Sequence, residues 1–134
     1  MPEYEKYDVV IAEDDEDDYF FLEEVLLKQY PRLAIRWAKD GVELLEYLKD
    51  EEPPPLLLLD LNMPRKDGRE ALREIKKDPK LTDLPVIVFT TSNAEADKVF
   101  VQSFKNTLFV TKPIGYSNYL KFGESLKNNF AGYK

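Results

Sequence analysis

Five side chains, each placed directly after a short apolar run, are of types that suit phosphoryl chemistry. Glu13 and Asp14 follow Val9-Val10-Ile11-Ala12, and Asp60 follows the four leucines Leu56 to Leu59. Thr90 follows Val86-Ile87-Val88-Phe89, and Lys112 follows Leu108-Phe109-Val110-Thr111. Three carboxylates brought close together repel one another and drive their pKa values up unless a cation neutralises them. Oxygen ligands without histidine or cysteine select a hard ion, Mg2+ (or Mn2+), that keeps several waters. A divalent ion, an ammonium and a hydroxyl together can stabilise a phosphoryl group in transfer. The chain has no histidine, so a histidine relay is excluded and the covalent acceptor should be a carboxylate, with Asp60 the central one.

Singly, each of these residues has a plainer explanation. Asp60 fits a turn or helix cap, Lys112 a surface lysine, and Thr90-Thr91-Ser92 the cap of a following helix. Joint placement is what overturns those explanations, and it requires a particular arrangement of elements. The stretch PPPLLLLDLNMPRKDG reads as a strand buried on both faces, bounded by prolines and turn residues. Strand signals also lie at Asp8–Ala12, Leu33–Ala38 (more polar, an edge strand), Pro85–Phe89 and Thr107–Thr111. Helical spacing appears between them, in Phe21, Leu22, Val25 and Leu26, then Val42, Leu44, Leu45 and Leu48, then Ala71, Leu72 and Ile75. It returns in Phe100, Val101 and Phe104, and in a last helix over about Ser117–Phe130 with Tyr119, Phe122 and Leu126 on one stripe. Alternating strands and helices predict an α/β fold, an open parallel sheet joined by right-handed crossovers and covered by helices. Such sheets bind ligands beyond the carboxyl ends of their strands, where all five residues would meet.

Composition narrows the function further. At 134 residues the chain is one domain over 1–134, and its net charge of −7 argues against a nucleic-acid backbone as partner. With no cysteine, disulfides, thiolate metal sites and cysteine nucleophiles are excluded. The start, MPEYEKYD, has no signal-peptide core and no run reaches membrane-spanning length, so a soluble cytoplasmic protein is expected.

Four separated signatures then carry a resemblance over nearly the whole chain: IAEDD, LLLLDLNMP, VIVFTTS and FVTKP, in that order. Together they resemble a response-regulator receiver domain of the flavodoxin-like class, with strand order 2-1-3-4-5. The tract DLNMPRKDGREAL and the lack of an appended output domain resemble stand-alone receivers that partner phytochrome-type or hybrid histidine kinases. The resemblance implies that Asp60 accepts a phosphoryl group from a phosphohistidine of a sensor histidine kinase. It implies Mg2+ held by Asp14, Asp60 and the backbone carbonyl of Asn62, with Glu13 acting through water. Thr90 and Lys112 would contact phosphoryl oxygens, Phe109 would be the switch aromatic, and the Lys112–Pro113 peptide would be cis. Phosphorylation would draw Thr90 inward and Phe109 after it, remodelling a surface made by the fourth helix, fifth strand and fifth helix. Output would pass to a target protein, with a phosphorelay through a histidine phosphotransfer protein, or a phosphate sink, as alternatives.

Two other classes stand against this reading. A Mg2+-dependent phosphatase with an aspartyl-phosphate intermediate usually carries a second aspartate two residues after the nucleophile, and here that residue is Asn62. A non-phosphorylated scaffold is disfavoured because every site position is filled. Asp15 to Asp18 read as a solvated helix start. Tyr19, Phe20, Leu27, Tyr30, Tyr116 and Phe130 exceed what core-facing stripes need, and as a group they suggest a homodimer or partner interface.

Overall fold

The computed structural model describes residues 7–50 and 52–130, so the reading of the MPEYEK start lies outside it. Strands and helices alternate throughout: β1 (Val9–Ala12), α1 (Glu16–Gln29), β2 (Ile35–Ala38), α2 (Gly41–Asp50), β3 (Leu57–Leu59), α3 (Gly68–Lys77), β4 (Val86–Thr90), α4 (Glu95–Gln102), β5 (Thr107–Thr111) and α5 (Tyr116–Ser125). The strands form one sheet in the order β2-β1-β3-β4-β5, and every neighbouring pair is parallel. This is the flavodoxin-like order the sequence predicts.

The leucine run shows how sequence becomes architecture. Leu57 and Leu59 pack with Val10, Ala12, Val86 and Val88 under α2, α3 and α4, while Leu56 and Leu58 pack with Val9, Ile11, Ile87 and Phe89 under α1 and α5. A strand covered on both faces has no polar side, and so its sequence loses the alternation of a half-exposed strand. The edge strand β2 keeps three half-buried residues, Ile35, Arg36 and Trp37.

Three expectations change. β2 begins at Ile35 rather than Leu33, because the Ala34 amide donates to the Asp8 carboxylate at 2.7 Å instead of joining the ladder. α5 ends at Ser125 rather than Phe130. Beyond it the chain tightens into turns, with Leu126 N–H donating to Gly123 O at 3.1 Å and Lys127 N–H to Glu124 O at 3.1 Å. The weak helix formers Asn128 and Asn129 follow, and Phe130 reaches the core from a turn. Finally, the surplus of apolar residues largely dissolves: Tyr19, Tyr30 and Phe130 are buried, with Tyr30 and Phe130 meeting edge to face at 5.2 Å. Leu27 packs against the same core cluster. Phe20 and Tyr116 remain exposed, at 51% and 37%.

Candidate functional site

The site is built where β1, β3, β4 and β5 end. Register sets the depth of each residue: Ala12 pairs with Leu59, Leu59 with Val88, and Thr90 with Thr111, so the residues just beyond them share one edge. The Asp60 amide is tied back to Ala12 O at 3.0 Å, and the Lys112 amide to Thr90 O at 2.8 Å. Glu13, Asp60, Thr90 and Lys112 are all buried, whereas Asp14 and Asn62 are exposed.

The turn after Asp60 is held from two sides. Gly68 begins α3 directly behind it, its N–H donating to Leu61 O at 2.9 Å. A Cβ on Gly68 would stand 2.2 Å from the Asp60 carbonyl oxygen and 2.7 Å from Leu61 Cα, so only glycine allows this approach. Further along, Arg65 adopts a left-handed φ of 65° and pairs with Asp40 at 3.0 Å. Asp40 also caps α2 by accepting from Glu43 N–H at 2.9 Å, which anchors the loop after Asp60 to that helix.

The carboxylates of Glu13, Asp14 and Asp60 converge, each offering an oxygen within 4.8 Å of the others. Lys112 Nζ lies among them, 2.5 Å from Glu13 Oε1, 3.2 Å from Asp60 Oδ2 and 2.9 Å from Asp18 Oδ2. One ammonium thus meets three carboxylates, and Asp14 adds a fourth charge beside Glu13 and Asp60. Burial pushes the Glu13 carboxyl up, the hydrogen bond from Lys112 opposes it, and the Asp60 charge adds to the rise, which ends at about 8. Burial lowers the Lys112 pKa, but hydrogen bonds to Glu13 and Asp18 and the charges of Asp60 and Glu13 outweigh it and leave the pKa raised. An all-oxygen donor set, two of its carboxylates buried and Asp14 open to solvent, with a deficit of positive charge fits a hard divalent cation that keeps waters.

Thr90 and Phe109 take their places on the other side of the sheet. Thr90 is fully buried, and its Oγ1 accepts from Ser92 N–H at 3.3 Å. Phe109, the partner of Val88 in register, packs half-buried on the cluster beneath α2, α3 and α4. One expectation is corrected: among the described residues every peptide bond is trans, Lys112–Pro113 included. Trans is the lower-energy form of an X–Pro bond by about 0.5–1 kcal/mol, and Lys112 reaches all three acids from it.

Two contacts escape a reading of the sequence. Asp18, expected to be solvated, spans from the first turn of α1 to Lys112, while Asp15 caps that helix by accepting from Asp18 N–H at 3.0 Å. Local spacing does not mark Asp18, because Asp14 lies outside α1 and the lysine that Asp18 meets is 94 residues along the chain. Trp37, stacked on Tyr19 at 4.1 Å, donates its indole N–H to the Glu13 carbonyl at 2.7 Å. No sequence signal marks that bond.

A five-stranded parallel sheet that gathers three acids and a lysine at its carboxyl edge is a receiver-type fold. The model of the response regulator receiver domain matches residues 9–121, and the chain belongs to that family. Its relatives include the response regulator Rcp1 of Synechocystis sp., 31% identical over 126 residues that cover 90% of this chain and 86% of that protein. Among solved structures, the phosphorylated cyanobacterial phytochrome response regulator RcpA superposes with a TM-score of 0.84, at 31% identity and 97% coverage of both chains. The Mn(2+)-bound form of Rcp1 gives a TM-score of 0.80 at 30% identity, covering 94% of this chain and 95% of that one. The protein is a two-component signalling receiver. Among the described residues no helix is long and apolar enough to cross a membrane.

Proposed function

We propose that this chain, as one receiver domain over 1–134, takes a phosphoryl group onto Asp60 from a phosphohistidine of a cytoplasmic sensor histidine kinase. The P–N bond to the histidine breaks as a P–O bond to an Asp60 carboxylate oxygen forms. The convergence of Asp60 with Glu13, Asp14 and Lys112 is the observation that carries the reading. Asp14, Asp60 and the Asn62 carbonyl would hold Mg2+, with Glu13 behind a water, and the bound ion would supply the charge that offsets the transferring group. Relatedness to a Mn(2+)-bound receiver supports a divalent ion at this place.

The chain's own residues account for the rest. Lys112 already touches Asp60 Oδ2 and turns its ammonium from Glu13 and Asp18 to a phosphoryl oxygen. Thr90 Oγ1 accepts from Ser92, so its own proton remains to donate to a second oxygen once the residue moves inward. Phe109 follows into the space on the same face. It has no hydroxyl, and its switching works through packing against the α4 side of the core. The change is a shift between two packings of one domain, and the output is a contact with another protein rather than turnover of an outside substrate.

Intact mass after incubation with Mg2+ and acetyl phosphate tests the reading. A gain of one phosphoryl group, lost in Asp60→Asn and with a chelator, is expected. A folded wild-type protein that gains nothing would make the chain a scaffold.

A further inference from the structure

Between the acceptor loop and the output helix runs a continuous polar path that the phosphoacceptor chemistry does not use. Arg69, in the first turn of α3, forks onto Asp97, in the first turn of α4: Nε meets Oδ1 at 2.8 Å and Nη2 meets Oδ2 at 2.7 Å. Its remaining nitrogen, Nη1, bonds to Asp67 Oδ2 at 3.1 Å, and Asp67 is the residue that caps α3 in the loop leading from Asp60. At the other end Asp97 Oδ2 accepts from Ser92 Oγ at 2.6 Å, and Ser92 N–H holds Thr90 Oγ1. One helical turn further on, Arg73 lies over the Phe100 ring at 4.8 Å, a second rung between the same two helices.

The pair is well made for a surface. The side chains of Arg69 and Asp97 are only 29% and 14% exposed, and a bidentate guanidinium–carboxylate contact has the geometry that gives ion pairs real strength. The hydrogen bonds from Arg69 and then Ser92 hold the Asp97 carboxyl down at about 2, so the pair stays charged at any working pH.

Thr90 is the group whose movement the proposed switch requires, and in this packing it is held through Ser92, Asp97 and Arg69 to the acceptor loop itself. We infer that Arg69 and Asp97 are positioning residues forming a latch that opposes the inward movement of Thr90 and so sets how easily the domain switches. The inference rests on the receiver reading. A ligand that favours the switched packing must work against the latch, so loosening the latch tightens that ligand by the same factor.

Magnesium with beryllofluoride, a mimic of the phosphoryl group, is the probe. Calorimetric titration at saturating Mg2+ would compare the wild-type protein with Asp97→Asn, Arg69→Gln, the double variant and the charge-retaining Arg69→Lys. Both side chains are partly buried, and urea unfolding of each variant fixes the folded fraction used in the fit. Both neutral variants should bind beryllofluoride at least about fivefold more tightly. The double variant should gain no more than either single change, because the two residues form one contact. Arg69→Lys, which keeps the charge and loses the fork, should lie between. Simple charge effects predict something different: tighter binding in Asp97→Asn and weaker in Arg69→Gln. That opposite pattern would overturn the latch, as would unchanged affinity or weaker binding in both. A wild-type protein that does not take beryllofluoride at all would instead overturn the receiver reading, and the latch with it.

Discussion

Replacing Gly68 by alanine sets two effects in opposition, and the structure decides between them. Gly68 is the first residue of α3, and alanine favours a helix over glycine by at most about 1 kcal/mol. The added Cβ, however, would lie 2.2 Å from the Asp60 carbonyl oxygen and 2.7 Å from Leu61 Cα. Both are backbone atoms in a turn already bonded to its neighbours, so the collision cannot be relieved by a side-chain rotation. Forcing an extra methyl into a packed site costs about 1–3 kcal/mol, and the unyielding backbone here puts the cost at the upper end. The net loss is therefore about 2 kcal/mol, or roughly 7 °C in melting temperature for a domain of this size. Because the displaced atoms belong to the acceptor turn, Mg2+ affinity should weaken along with stability. Urea unfolding and calorimetric Mg2+ titration of Gly68→Ala measure the two effects. As a comparison, Gly115 has open space around its Cβ position but φ 86° and ψ 156°, a conformation open essentially only to glycine, so alanine there should cost about 1–3 kcal/mol of backbone strain without touching Mg2+ affinity. A Gly68→Ala protein as stable as the wild type, with unchanged metal binding, would refute the steric argument.

Lys112→Met should destabilise the metal-free protein by about 3–5 kcal/mol near pH 9, because it strips buried Glu13 and Asp60 of their cation. The folded-state value of Glu13 is raised from 4.5 to about 8, so stability falls as pH rises through that window, and near pH 6 the carboxyl already carries a proton that softens the loss; urea unfolding that showed equal losses at both pH values would contradict this. Trp37 is the sole tryptophan, and its indole N–H bonds to the Glu13 carbonyl, so Mg2+ should change its emission in the wild-type protein and not in Asp14→Ala.

The sequence is legible where one physical cause acts alone. A strand buried on both faces must be apolar throughout, so Leu56–Leu59 and Val86–Phe89 declare themselves, and the acids and lysine behind such strands can meet only at one edge. Legibility fails where tertiary contacts compete with local pattern. Ala34 looks like strand until the Asp8 side chain takes its amide, and Phe130 looks like the end of a helical stripe although it is buried from a turn. Asp18 reads as one more acid in an acidic run, since its role depends on a lysine 94 residues away. The Arg69–Asp97 pair, 28 residues apart, has no local signature either. The surplus aromatics mislead for a related reason: Tyr19 and Tyr30 hide their rings in the core and satisfy their hydroxyls on Glu23 and on the Gly123 carbonyl.

The spread of the site along the chain also gives it a history during synthesis. Asp60 precedes Lys112 by 52 residues, so a ribosome makes the acids first and their counter-charge last. At typical elongation rates the interval is on the order of 5 s. For those seconds β1 and β3 can pair and bring Glu13, Asp14 and Asp60 together with no lysine between them. Until the last strand emerges, the nascent domain carries these acids without the lysine that offsets them.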